Sequence, residues 1–321
     1  MKLFSTFLFC FLFISLVSNA QIYHLQELST VQIEKLDHNN TIVLLPGGIM
    51  EEHGPYLPAF TDGYMNLALT DSIANAIVKN TGMKVLIFPI IPLGNGGANE
   101  IGRKYNFPGS YTVRASTLRT IFMDLSSELG EQGFRKIFII HMHGAPNHNH
   151  ALDQASSYFN SQYNGRMVNV FNLAIELNKD FRANEVKKED GFTVHAGVTE
   201  HSILYSLQPK FNNLIDRKAP PQTAKSPDDL SVVALKVGWP GYFGAPALAS
   251  DQLGADTWKE WTKVIVSGVL DVLNNKYDFK KPTYYQLMSS QPSQNLVNAD
   301  AEKHDKERED REANWLKSNN N

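Results

Sequence analysis

Four short apolar runs stand out along the chain, several bounded by glycine or proline: Thr41–Pro46 (TIVLLP), Lys84–Ile91 (KVLIFPII), Lys136–His141 (KIFIIH) and Met167–Leu173 (MVNVFNL). Runs this short, without polar alternation, predict strands covered on both faces. Between them, apolar positions recur at helical spacing over Gly63–Lys79, Ser116–Gln132 and about Asn147–Phe159. Strand and helix alternate, which predicts an α/β fold with a mostly parallel central sheet and helices on both sides. A further amphipathic stretch, Asp256–Tyr277, opens on an acidic N-cap candidate and predicts a long packed helix.

The two ends of the chain differ from this pattern. The first twenty-one residues carry one lysine at position 2, an apolar stretch from Leu3 to Val17 and then Ser18-Asn19-Ala20 before Gln21. That is the arrangement of a secretory signal peptide, residues 1–20, cleaved after Ala20. The stretch is shorter than the ~20 residues a spanning helix needs, so the expectation is an exported protein, periplasmic or extracellular, without stable membrane insertion. Residues 21–285 form the main domain, and residues 286–321 a polar, charged C-terminal tail expected as a solvated helix or loose segment rather than core.

Composition narrows the chemistry. With 42% hydrophobic and 20% charged residues, 321 residues can bury a substantial core. A formal charge of −3, from 30 Lys and Arg against 33 Asp and Glu, gives no footprint for a nucleic-acid partner. The only cysteine, Cys10, falls inside the signal segment. A mature chain without cysteine has neither disulfide nor thiolate, and any metal must be held by His, Asp and Glu.

The informative residues follow the strands. After TIVLLP comes Gly47-Gly48-Ile49-Met50-Glu51-Glu52-His53-Gly54-Pro55, with Asp62 nine residues past His53; after KIFIIH comes Met142-His143-Gly144. Ligands of parallel α/β sheets bind beyond the carboxyl ends of the strands, so two strands deliver Glu, His, Asp and His to one edge. Imidazole nitrogens and carboxylates suit a divalent ion of the Zn or Mn type. In an extended Glu51-x-His53 the two side chains share one side and Glu52 points away. A third cluster, His195-Ala196-Gly197-Val198-Thr199-Glu200-His201, places Glu200 in a helical first turn after Thr199 as N-cap, where the helix dipole favours a carboxylate; the alternative makes Glu200 a further metal ligand and His195 a proton-transfer residue. His148 and His201 are expected behind the ligands or at the surface.

These residues carry a resemblance. LLPGGIMEEHGPYLPAFTD, IIHMHGAPNH and HAGVTEHS are similar to the Glu-x-His-Gly-Pro…Thr-Asp, Asn-Gly-His-Gly-Gly-Asn and His-Ala-Gly-x-x-Glu-Thr-Ser elements of the creatininase (creatinine amidohydrolase) family, over roughly Glu27–Tyr277. The resemblance implies a three-layer α/β sandwich, a homo-oligomer, commonly a hexamer, and two divalent ions (Zn, Mn or Fe). Glu51, His53, Asp62 and His143 resemble the family's ligands, with Asp62 bridging; Glu200 matches an additional ligand, and His195 the catalytic histidine. Gly144 and Ala145 stand where creatininases proper read Tyr-Glu, and Gly191-Phe192 where they read Trp-Asp, so the expected substrate is a small molecule other than creatinine.

The implied function is metal-dependent hydrolysis of a C–N bond in a cyclic amide, ureide or formamide; the alternative is a non-catalytic, metal-containing relative that captures a small ligand. Tyr56, Tyr105, Tyr111, Phe192 and Trp239 are aromatic candidates for a pocket wall, with loops Gly94–Tyr105 and Asn178–Thr193 as its carriers.

Overall fold

Strand β2 (Thr41–Pro46) is buried at all 6 of its positions, because it lies between two parallel neighbours, β3 (Lys84–Ile87) and β4 (Lys136–Ile140). With β1 (Ile22–His24) outside β3 and β5 (Arg166–Asn169) outside β4, the sheet has five parallel strands in the order β1-β3-β2-β4-β5. The computed structural model describes residues 21–177, 179–214 and 219–319; the signal segment expected over residues 1–20 lies outside them.

Period-2 alternation sends Ile42 and Leu44 to one face of the sheet and Val43 and Leu45 to the other. On the first face they pack with Leu69 and Ile73 of α2 (Thr61–Thr81, following the short α1, Thr30–Glu34) and with Ile265 and Val269 of a later helix. On the second they meet Leu118 and Phe122 of α3 (Ala115–Glu131) and Leu152 and Phe159 of α4 (Pro146–Gln162). The result is the expected three-layer α/β sandwich. The remaining helices are α5 (Asn184–Asp190), α6 (Val198–Leu207), α7 (Pro227–Ala234), α8 (Asp251–Leu273), α9 (Tyr284–Ser289) and α10 (Pro292–Asn319).

Several boundaries move for local reasons. The run from Lys84 stops as a strand at Ile87, just ahead of Phe88-Pro89, where proline has no N–H to give the ladder. The run from Met167 becomes a 3-10 turn after Asn169, whose side chain accepts from the Phe171 amide at 3.2 Å. The helix expected from Asp256 begins five residues earlier, at Asp251, with Ser250 as the cap accepting from Leu253 N at 3.3 Å. Strand β1, three residues long, is too short for a periodic signal.

Helix α6 crosses α8 closely, and the contact hinges on Gly254: a Cβ there would run into the Ser202 carbonyl. Overpacking of this kind costs typically 1–3 kcal/mol. Gly254→Ala is therefore expected to lower the urea midpoint by an equivalent amount; an unchanged midpoint would show that α6 yields freely.

Candidate metal centre

Three elements meet beyond the carboxyl ends of β2 and β4. The β2 loop brings Glu51 and His53, the first turn of α2 brings Asp62, and the β4 loop brings His143. Gly48 lies against Gly63 so closely that a Cβ would sit 3.0 Å from its backbone, which presses the β2 loop onto the start of α2. One turn along α2, Asn66 is wholly buried and ties both loops together: its Nδ2 donates to the Gly47 carbonyl at 2.9 Å, and its Oδ1 accepts from Met142 N at 2.9 Å. The sequence reading passed over Asn66; its one signal there is a polar residue on the inward face of an amphipathic helix.

The imidazoles are set by backbone carbonyls. His53 Nδ1 donates to the Glu51 carbonyl at 3.1 Å, leaving Nε2 bare, 3.4 Å from Asp62 Oδ1 and 3.9 Å from Glu200 Oε2. His143 Nε2 donates to the Gly96 carbonyl at 2.9 Å, so Nδ1 turns inward, 3.1 Å from Asp62 Oδ2 and 3.2 Å from Glu51 Oε2. His195 Nε2 donates to the Glu52 carbonyl at 2.6 Å, and its Nδ1 lies 3.6 Å from Glu51 Oε1. An N–H given to a carbonyl fixes the tautomer and leaves the other nitrogen as a ligand or proton carrier.

All five residues expected as ligands are brought together. Glu51, Asp62 and His143 form one group whose ligand atoms lie within 4.8 Å of one another, and His53, Asp62 and Glu200 form a second. Asp62 belongs to both and offers one oxygen to each, the geometry of a bridging carboxylate. A third grouping, Glu51, His53 and His195, takes Glu51 and His53 from the first two and adds His195. Among the described residues no Lys or Arg ion-pairs with these carboxylates. A bare buried imidazole nitrogen and buried carboxylates without a cation fit a pair of divalent ions.

The imidazoles and carboxylates of the cluster also act on one another's charge. Burial alone would raise the carboxyls of Glu51 and Asp62, but the surrounding imidazoles, His195, His143 and His53 for the first and His143 and His53 for the second, take both below their usual range. Burial alone would lower His143 and His195, yet the carboxylates Glu51, Asp62 and Glu52 outweigh it: His143 is held well above its usual value and His195 is pushed up to about 10. Glu200, desolvated, moves up.

Helix α6 starts at Val198 with Gly197 as its N-cap, one residue pair ahead of the expected Thr199, and Glu200 accepts from Ala196 N. Glu200 thus lies in the first turn of α6, as expected, with its carboxylate directed back toward the His53 side of the cluster. Glu52 points away from the ligand groups, as its spacing predicts, but into the interior: its Oε2 accepts from Gly54 N at 3.0 Å and its Oε1 lies 3.7 Å from His195 Nε2. His148 and His201 are both fully buried; His148 Nδ1 accepts from Asn95 N at 3.2 Å and so braces the loop whose carbonyls hold His143.

A cavity of about 590 Å³ opens over the cluster, with Glu51, Asp62, His143, His195 and Glu200 in its lining. Of the five aromatic candidates only Phe192 lines it. Trp239 is buried in a satellite core, Tyr56 packs beside Tyr242, Tyr105 stacks on His304 at 3.9 Å and Tyr111 is exposed. The far wall comes from Leu287, Met288 and Val297, on helices that the polarity of the tail concealed.

The family profile described as creatinine amidohydrolase (Creatininase) matches residues 26–269. Creatinine amidohydrolase of Pseudomonas putida is 22% identical over 74% of this chain and 90% of its own length. Mycofactocin precursor peptide peptidase of Mycolicibacterium smegmatis is 23% identical over 52% of this chain and 58% of its own. Among solved structures, one named Creatininase Mn has a TM-score of 0.57 at 20% identity, covering 79% of this chain and 98% of its own. A crystal structure of creatinine amidohydrolase (creatininase) has a TM-score of 0.56 at 20% identity, covering 83% and 100%.

Two outcomes follow for ion binding. Asn66→Ala strands the Gly47 carbonyl and the Met142 amide, at a cost of about 1–3 kcal/mol, and should weaken ion retention through dialysis although Asn66 touches no ligand atom; unchanged retention measured by elemental analysis would show the clamp to be dispensable. An ion must also displace the proton held on His143. Apparent affinity should therefore fall about tenfold per unit as pH drops through the range below that imidazole's raised pKa, and a pH-independent ion titration would remove His143 from the ligand set.

Proposed function

The chain belongs to the creatininase family, and from that premise we propose that it is a metal-dependent amidohydrolase that cleaves a C–N bond of a small molecule other than creatinine. The observation that carries the reading is the pair of ligand groups sharing Asp62, set beside His195 at the floor of a cavity. Glu51, Asp62 and His143 would hold one ion, and His53, Asp62 and Glu200 the other. Bound ions supply Lewis-acid polarisation of the carbonyl and acidify water to a pKa near about 7. A relative named Creatininase Mn and another of Zn-Zn type favour manganese or zinc as the ions.

The chain's own residues supply the rest. In the hydrolysis, the oxygen of water joins the carbonyl carbon, the C–N bond breaks, and the nitrogen leaves with a proton, giving an acid and an amine. His195 Nδ1 faces the centre, so it is placed to hand that proton over. Its Nε2–H is held by the Glu52 carbonyl, which fixes ring and tautomer, and the Glu52 carboxylate behind it steadies the charged form. Gly144 and Ala145 follow His143 without a carboxylate, and Glu200 comes from α6 to complete the second group. Relatives named as an amidohydrolase and as a precursor peptide peptidase share the hydrolytic theme. Export directed by residues 1–20 belongs to the same proposal.

His195→Ala is expected to leave ion content unchanged and to cut turnover of amides by about 10²–10⁴-fold, the usual weight of general acid–base help. The measurement is amine release from a panel of lactams, ureides, formamides and linear amides by ion-loaded protein. Full activity in the variant would end the role of His195, and equal activity after chelation would end the metal-dependent reading.

A further inference from the structure

The cavity over the metal centre is closed on one side by helices that lie beyond the family-matched residues 26–269. Helix α9 contributes Tyr284, Leu287 and Met288, and α10 contributes Gln294, Val297 and Asn298. Ile101, Met142, Phe171, Ile175 and Leu230 line the same space, with Phe171 packed on Tyr284 at 4.7 Å between ring centroids. Among the described residues neither Lys nor Arg lines this space, and the carboxyl on its wall that belongs to no ligand group is Glu100.

The helices are docked by specific contacts. Tyr284 Oη donates to the Gly144 carbonyl at 2.7 Å, directly after His143, and Tyr284 N donates to Asn172 Oδ1 at 2.8 Å. Thr283 and Gln286 form a capping box that sets the start of α9. Along α10, Asp300 pairs with Arg103 at 2.6 Å, and His304 stacks on Tyr105 at 3.9 Å. Asp305 accepts from Ala115 N at 2.9 Å and Asn95 Nδ2 at 3.2 Å, capping the start of α3 and tying α10 to the loop that orients His143. Charged side chains fasten the outer helix; of its apolar residues Val297 and Ala301 line the cavity, whereas Leu296, Trp315 and Leu316 are exposed.

We propose that α9 and α10 form a specificity wall, and that the site takes an uncharged amide bearing a bulky apolar group, its amide at the metal centre and its apolar group against Leu287, Met288 and Val297. This rests on the amidohydrolase reading. A volume of about 590 Å³ suits a drug-sized ligand; a small ring would leave most of it to water. An anionic group against this wall would be desolvated without a cation to meet it. Burial, with Asp305 and Glu51 adding to it, pushes the Glu100 carboxyl up to about 7, the mark of an apolar setting already unfavourable to negative charge.

The test compares butanamide, its phenyl-terminated homologue and that homologue carrying a ring sulfonate, on ion-loaded protein, by titration calorimetry and by ammonia release. The phenyl homologue should bind roughly tenfold or more tighter than butanamide, the return expected from burying an aromatic ring, and the sulfonate should cancel the gain. Met288→Trp, which fills the cavity, should abolish the preference while leaving ion content in place. Val297→Thr, nearly isosteric and polar, should reduce it, and serves if the tryptophan variant fails to fold. Equal binding of butanamide and the phenyl homologue, or a preference untouched in both variants, overturns the wall. The two readings separate cleanly: a binding preference without ammonia from any amide sinks the hydrolase and spares the wall, whereas ammonia release without preference sinks the wall alone.

Discussion

Carboxylates and imidazoles buried together, with no lysine or arginine among the described residues to balance them, are the constraint around which the site is arranged. Removing such groups from water costs several kcal/mol each unless partners compensate. Here Glu51, Asp62, His53, His143 and His195 compensate one another only in part, since His53 Nε2 is left bare and His143 and His195 are driven to hold protons. The donor atoms fall into groups that share Asp62, each able to hold an ion. The structure around the cluster reads as support for an arrangement that would otherwise fly apart.

That support is built in layers. Backbone carbonyls of Glu51, Gly96 and Glu52 each take one imidazole N–H and thereby aim the opposite nitrogen. Behind them, Asn66 joins the β2 and β4 loops through their backbones, and His148 supports the Asn95–Gly96 loop. Burial lowers His148 well below its usual value, so it serves as a neutral acceptor at that position. Beneath everything lies the parallel sheet, whose adjacent β2 and β4 end side by side and so bring two distant loops to one edge.

The C-terminal helices extend the same logic to the cavity over the cluster. Helix α10 is polar along most of its length and makes little core, yet Asp300, His304 and Asp305 hold it at fixed points of the main domain. Because those anchors fall on the loop after β3 and on the start of α3, the wall of the cavity is coupled to the residues that orient His143. Among the described residues no helix is long and apolar enough to cross a membrane.

The order of strands and helices was legible in the chain because a doubly covered strand and an amphipathic helix each impose a period on their own residues: Thr41–Pro46 ends where the apolar run ends, and Ala115–Glu131 departs by one residue from its predicted span. The residues of the cluster were legible too, since the Glu51-x-His53 spacing, the step to Asp62, the position of His143 after a buried strand and the His195–Glu200 stretch ahead of an apolar run are local facts, and the structure groups them. What no period or spacing records is which nitrogen of each imidazole faces inward, that Glu52 turns into the interior behind His195, that Asn66 ties two loops, or that Tyr284 reaches Gly144 across 140 residues. Those are contacts between segments far apart in the chain, fixed by the packing of whole layers against one another. The sequence by itself therefore determined the sheet and the chemistry at its edge, while tertiary packing alone decided how that chemistry is oriented and which polar tail becomes the wall of its cavity.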